Sequence, residues 1–318
     1  MRRLLALALL APFVIGFLSP GAALEPPTAD PVFHFTDPEI TESSGLVARD
    51  GLVVTVNDSG DGNRVFTVDP ATGATVGVTR WPGDATDIEA LAPAGDPGSG
   101  EVWVGDIGDN TASRDHVEVA RVPVGRGERM VDAPTYRLVY PDGPHDAETL
   151  LADPATGRLY VVAKEFIGRL YAAPEHLDPD GPNLLSAVDE VLGIATDGSF
   201  TPDGAHLVLR NYGQAAVYTW PDLGRVAQVD LPEQPQGEGL AISETGEVLV
   251  SSEGAGAEVL RVELPLDQPS ASPGPDQETD DGSGRAPVEV ERSLWPWALG
   301  GVAGLVIVVV LLRSLRPR

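Results

Sequence analysis

The chain has 318 residues, of which 48 are acidic and 21 basic, giving a formal net charge of −27, and it has no cysteine. So acidic a surface argues against nucleic acid and anionic membranes as partners, and the lack of cysteine excludes disulfides, a lipid-modified cysteine anchor and thiolate metal sites.

In chain order, Met1-Arg2-Arg3, the apolar run from Leu4 to Leu18 and the small-residue segment SPGAA have the layout of a secretory signal peptide, residues 1–23. A domain over residues 30–266 follows. It opens on the alternating run VFHF, Val32 to Phe35, and then writes one pattern five times. Each copy starts with a short E/S/G-x-L-like run, at Ser44, Glu89, Glu148, Gly198 and Glu238. A turn follows, of the type DPATG from Asp153 or TPDG from Thr201, built from the Pro, Asp and Gly that β-turn dihedrals require.

The second runs are LVVTV from Leu52, EVWVG from Glu101, RLYVV from Arg158, HLVLR from His206 and EVLVS from Glu247, all expected as half-buried strands. Third runs begin near Arg64, Val117, Arg169, Ala216 and Glu258. Fourth runs begin near Thr75, Thr135, Asp189 and Arg225, and the fifth copy has none, so Val32 to Phe35 is expected to complete it. The repeat predicts an all-β fold, a five-bladed β-propeller closed by its N-terminal strand, since closure removes exposed sheet edges. The poorly patterned stretch at 125–135 leaves a six-bladed alternative open.

Residues 267–292 are rich in Pro, Ser, Gly and acids and read as a disordered linker. Leu294 to Leu312 carries no charge and is long enough to be a transmembrane helix, with Trp295 and Trp297 at its outer end and arginines in the tail, residues 313–318. The expected location is the cell membrane, single-pass, with the propeller outside and the C-terminus in the cytoplasm. Outside the two ends, which hold five arginines and no acids, 16 basic residues face 48 acidic ones, a net of −32.

In a propeller the start of each first strand and the end of each second strand share one rim. An inner ring is therefore expected from Ser43 and Ser44, Asp87 and Glu89, Asp146 and Glu148, Asp197 and Ser199, and Glu238, with Ser44, Glu89, Glu148, Asp197, Ser199 and Glu238 as its metal-ligand candidates. Around it should lie Asn57, Asp58, Asp106, Asp109, Asn110, Lys164, Glu165, Arg210, Asn211 and Glu253. Carboxylates crowded round a narrow channel repel one another. Either a hard divalent cation relieves them, Ca²⁺ or alternatively Mg²⁺ given oxygen-only ligands, or the acids bond backbone amides and staple the blades.

Lys164 and Arg210 hold matching positions in adjacent blades, so they would either meet an anionic ligand or pair with nearby acids. His145 is the histidine expected nearest this rim, as a catalytic candidate or a solvated loop residue. NDSGDGN, Asn57 to Asn63, partly imitates a calcium loop but has Val68 where the bidentate acid belongs. There is no G-x-S-x-G elbow, Walker loop or H-E-x-x-H motif.

The repeated starts, with NDSG and GDIGDN, resemble bacterial secreted propellers of the esterase-like, phytase-like and WD-like group, although the WD dipeptide itself is missing. The order Ser44, Glu89, Glu148, Ser199, Glu238 resembles the calcium ring of five-bladed calcium-activated nucleotidases, the apyrases. That resemblance implies a central Ca²⁺ and hydrolysis of nucleoside di- and triphosphates. Two functions follow as expectations. One is a binding module for an extracellular protein, a cell-wall component or an anionic small molecule, with a cation in the channel. The alternative is a Ca-dependent hydrolase of phosphate esters or related anions.

Overall fold

The computed structural model describes residues 29–58 and 60–266. The expected signal peptide, linker, spanning helix and tail lie outside the described residues. Among the described residues no helix is long and apolar enough to cross a membrane.

Strand β1 (Ala29–His34) opens the domain, and five sheets follow around a common axis. Blade 1 is built on β2 (Ser43–Arg49), β3 (Leu52–Asn57), β4 (Arg64–Asp69) and β5 (Ala74–Arg80). Blade 2 is built on β6 (Ile88–Ala94), β7 (Glu101–Asp106), β8 (Val117–Pro123) and β10 (Thr135–Val139). Blade 3 holds β11 (Ala147–Ala152), β12 (Leu159–Ala163), β13 (Gly168–Ala172) and β15 (Ser186–Val191). Blade 4 holds β16 (Asp197–Phe200), β17 (His206–Arg210), β18 (Gln214–Thr219) and β19 (Arg225–Asp230). Blade 5 holds β20 (Gly237–Ile242), β21 (Val248–Ser252) and β22 (Glu258–Val262), and β1 pairs antiparallel with β22 to complete it. The expected closure by the N-terminal strand is present, and five blades replace the six-bladed alternative.

The stretch at 125–135 is neither a blade nor a plain loop. It supplies β9 (Gly127–Met130), which adds to blade 1 as a parallel fifth strand beside β5. A second short strand, β14 (Pro182–Leu184), does the same for blade 2 beside β10. Each added strand comes from the following blade and covers the preceding blade's outer edge, where unpaired backbone groups would otherwise face solvent.

The second strands were expected to be half-buried, and here the structure differs: β12 is buried at every position. Each blade is sandwiched between two neighbours, so alternate side chains feed two different cores. Val53 packs between blades 5 and 1, and Val54 between blades 1 and 2. Likewise Tyr160 and Val162 face blade 4 whereas Val161 faces blade 2. Burial on both faces needs a continuous apolar run rather than alternation. The outer strands β15 and β19 are largely exposed, as the periphery of such a ring requires.

Near the axis the inner strands crowd. A methyl group on Gly45 would lie 2.6 Å from the backbone nitrogen of Leu91, so blades 1 and 2 approach this closely only with glycine there.

Candidate functional site

A one-residue irregularity decides which side chains reach the channel mouth. In blade 1 the β2–β3 ladder runs from Ser43 opposite Asn57 to Leu46 opposite Thr55, one residue more on the inner strand than on its partner. The same excess occurs in blade 2 between Ile88 and Ala90, in blade 3 between Ala147 and Thr149, and in blade 5 between Gly237 and Leu240. Such a bulge re-aims the residues within it. The re-aimed segments carry Ser44, Glu89, Glu148 and Glu238, which are buried at the mouth where the inner strands begin.

In blade 4 the ladder begins only beyond the place that the bulges hold in the other blades. It runs unbroken from Asp197 opposite Arg210 to Phe200 opposite Leu207. Ser199 therefore stands opposite Val208, the ladder position that Leu151 holds opposite Tyr160, and the place of the glutamates falls to Thr196, whose Oγ1 donates to the Glu238 carbonyl at 3.0 Å. Ser199 lines a cavity of about 420 Å³ at the opposite mouth, with Phe200, Ile242, Leu150 and Arg49.

Asp197 is fully buried, and its carboxylate accepts backbone N–H bonds from Gly198 at 2.8 Å, Leu240 at 2.7 Å and Leu46 at 3.2 Å. It thereby ties blade 4 to blades 5 and 1. Burial pushes its pKa well above the usual carboxylate range, against the pull of those three donors. Arg210 is equally enclosed. Its guanidinium donates to the carbonyls of Gly239 at 3.1 Å, Ser251 at 3.2 Å, Asn211 at 3.1 Å and Tyr212 at 3.4 Å, and to Gln234 Oε1 at 3.3 Å. Burial lowers its pKa to about 10, while Glu238 and Asp197 oppose that shift. Both residues staple blades, and neither presents its charge to the mouth.

The acids that do converge are Asp58, Asp87 and Glu89, whose carboxylate oxygens lie within 4.8 Å of one another. Glu89 comes from the bulge of β6, Asp87 from the residues before it and Asp58 from the end of β3. Burial pushes the Glu89 pKa up to about 11, with Glu148, Asp58 and Asp87 adding repulsion. A hydrogen bond between its carboxyl and that of Asp58 adds to the rise. Ser44 Oγ donates to the Glu89 backbone carbonyl at 2.8 Å and to its Oε2 at 3.1 Å, linking blades 1 and 2.

Across the mouth Glu148 Oε1 pairs with Lys164 Nζ. Burial still pushes Glu148 up to about 8 against that pairing, with Glu238 and Asp146 adding to the rise. Burial would lower the Lys164 pKa, but the bonds to Glu148 and Tyr212 outweigh it, and the ammonium stays charged. Glu238 accepts from Gln236 Nε2 at 3.2 Å. The second oxygens, Glu148 Oε2 and Glu238 Oε2, are buried without a hydrogen-bond partner. Glu253 joins this side of the mouth, pushed up to about 7 by burial and by Glu238.

Other expected rim residues hold loops. Asn57 Oδ1 accepts from Thr41 N and Glu42 N, while its Nδ2 donates to Glu39 O at 2.7 Å. Asp106 accepts from Thr86 N and Asp87 N and pairs with Arg114 at 2.7 Å. Burial would raise the Asp109 pKa, but its bonds from Arg114 N and Ser113 N, with the Arg114 charge and the Ser113 hydroxyl, together outweigh it and lower the pKa. Asn110 is exposed. Asn211 Oδ1 caps its turn through Gly213 N and Gln214 N. In the NDSGDGN segment Asp61 is occupied by Arg64.

His145 is held between two carboxylates rather than solvated. Its Nδ1 lies 2.7 Å from Glu165 Oε1, its Nε2 lies 3.0 Å from Asp142 Oδ1 and 3.0 Å from Tyr171 Oη, and its ring abuts Tyr140.

The sequence places Asp87 beside Glu89 on the inner ring and Asp58 on the surrounding rim, with neither among the metal-ligand candidates. The signal was present as the D-x-E spacing of Asp87 and Glu89, repeated at Asp146 and Glu148. Tyr212, whose ring lies 5.3 Å from Lys164 Nζ, also contributes to the mouth.

No family model and no curated protein matches the chain. A solved structure, a gluconolactonase from Xanthomonas campestris important in glucose secondary metabolic pathways, aligns with a TM-score of 0.44 at 14% identity, covering 76% of this chain and 93% of that one.

Proposed function

We propose that the protein is a propeller-based binding module whose acidic mouth takes up a divalent cation. The observation that carries this reading is the convergence of the half-buried Asp58 and Asp87 on the buried Glu89, whose pKa burial and those neighbouring acids push up to about 11. A cation held there replaces the shared proton and relieves the repulsion. Ligation by oxygen alone favours Ca²⁺, with Mg²⁺ as the alternative. In this reading the domain is displayed outside the cell on its C-terminal segment, and it meets its ligand or partner through the mouth.

Hydrolysis of a phosphate ester or related anion draws less support. Such a site needs cationic groups for the substrate and a base for water. Of the candidates, Lys164 is committed to Glu148, Arg210 is enclosed among backbone carbonyls, and both nitrogens of His145 lie against carboxylates.

The test is thermal melting of the full chain in chelator and then in added CaCl₂ or MgCl₂, for wild type and Asp87→Asn. The expected result is a rise of several degrees for wild type and none for the variant. An identical melt in chelator and in both salts would refute the cation.

A further inference from the structure

The described residues leave six large apolar side chains exposed. Three of them, Met130, Leu184 and Val188, sit on outer strands. The others, Phe166 at 90% exposure, Ile167 at 56% and Tyr212 at 40%, lie on neighbouring loops beside the acidic mouth. Phe166 and Ile167 belong to the loop after β12, and Tyr212 to the loop after β17.

These loops are fixed to one another. Lys164 N donates to Asp146 O at 2.8 Å, and Ile194 N donates to Glu165 O at 2.7 Å. His145 lies 2.7 Å from Glu165, and Asn211 Nδ2 donates to Gly193 O at 3.3 Å. Gly193 itself packs so tightly on the carbonyl of Phe166 that a Cβ there would overlap it. The backbone thus holds a phenylalanine out in water on a braced loop. A preorganised aromatic anchor of this kind loses little entropy when a partner packs on it.

Next to this patch the mouth offers the opposite chemistry. Glu148 Oε2 and Glu238 Oε2 are buried and lack a donor, in residues that are 7% and 3% exposed. Asp146 and Glu253 add negative charge, and Lys164 is the cation that faces them. The unmet need is for N–H donors carrying positive charge.

We propose that this rim docks a basic protein segment, in which an apolar side chain packs on Phe166, Ile167 and Tyr212 while an adjacent Arg or Lys enters the mouth toward Glu148 and Glu238. Charge complementarity selects that occupant. A second copy of a chain with net charge −27 would bring acids to acids, and an anionic lipid surface would be repelled. The inference rests on the mouth being a binding site, and it uses the side of blades 3 to 5 rather than the Asp58–Asp87–Glu89 side.

The experiment is fluorescence anisotropy of the full chain with three labelled peptides of equal length: alternating Arg and Leu, alternating Glu and Leu, and alternating Arg and Gly. The Arg–Leu peptide is expected to bind best. The double variant Phe166→Ala/Ile167→Ala should weaken it by at least about tenfold, the scale of an anchor lost from an interface. Because both side chains are exposed, that variant should keep the wild-type melt, and its calcium response should not change.

Equal binding of the Arg–Leu and Arg–Gly peptides, an unaltered affinity in the double variant, or no binding of any peptide would overturn the proposal. Phe166-dependent dimers in sedimentation, or Phe166-dependent binding to phosphatidylcholine vesicles, would assign the patch to a second copy or to lipid and overturn it equally. In Asp87→Asn, loss of the calcium response with peptide binding retained is the expected separation of the two sites. Peptide binding without any calcium response in wild type would sink the cation and leave the docking surface standing.

Discussion

Blades 3 and 4 stand side by side and come from the same repeat, yet they use their polar residues in opposite ways. In blade 3 a bulge turns Glu148 to the mouth, where one oxygen meets Lys164 and the other meets nothing. In blade 4 the counterpart of Glu148 is Thr196, and the next residue, Asp197, points with Arg210 into the structure, their bonding capacity largely consumed by backbone groups. One step along the inner strand therefore separates a residue free for a ligand from one that only holds blades together. Burial alone does not make the distinction, since both acids are buried. Satisfaction of the oxygens does.

The contrast can be attacked first at its stapled side. Asp197→Ala removes the acceptor of three buried backbone N–H groups and leaves Glu238 as the remaining counter-charge of Arg210. It should cost on the order of 4 kcal/mol in a urea melt. A loss below about 1 kcal/mol would mean that the blades do not depend on this tie. Arg210→Met should cost somewhat less, on the order of 3 kcal/mol, because the methionine refills part of the space while the carbonyls of Gly239 and Ser251 lose their donor.

At the mouth the sign should reverse. Glu89 has a folded pKa of about 11. An unfolded glutamate ionises near about 4.3, so the cation-free protein loses stability as pH rises from that value toward 11. Glu89→Gln removes the penalty and keeps an acceptor for Ser44. At neutral pH without divalent ions it should melt about 2–4 °C higher, the equivalent of about 1 kcal/mol for a domain of this size, while losing the calcium response. A lower melt in chelator would show that Glu89 is a staple like Asp197.

Ser44→Ala should give the smallest change, a loss of about 0.5–1.5 kcal/mol for a hydroxyl that donates to Glu89. A larger loss would place Ser44 among the elements that hold blades 1 and 2 together.

Much of this architecture is legible in the chain. The DPATG and TPDG turns spaced between apolar runs mark the hairpins, and the missing fourth run of the last copy, set against Val32 to Phe35, announces the closure. Bulges are another matter. Reading the fourth copy as Gly198-Ser199-Phe200 sets Ser199 level with the glutamates, whereas the ladder sets it level with Leu151. Local composition does not reveal that difference, because a bulge is fixed by the register of the partner strand.

Arg210 was equally hard to place. A charge at the end of a second strand reads as a rim group, and only the approach of blade 5, with the carbonyls of Gly239 and Ser251, provides enough acceptors to bury it. Strands β9 and β14 escaped because short parallel additions to an edge leave hardly any pattern in four and three residues.

The most direct test of the central claim is calorimetric titration of the full chain with CaCl₂, in two buffers of different ionisation enthalpy, at several pH values from 6 to 9. If a cation takes the place of the proton shared at Glu89, binding must release protons, since that group stays protonated up to about 11. The affinity should also rise with pH as Glu253 and Glu148 ionise, near about 7 and about 8. The predicted result is one ion per chain, heats that differ between buffers, and no binding in Asp87→Asn. Absence of binding in wild type, or binding with the same heat in both buffers and unaffected by Asp87→Asn, would contradict it.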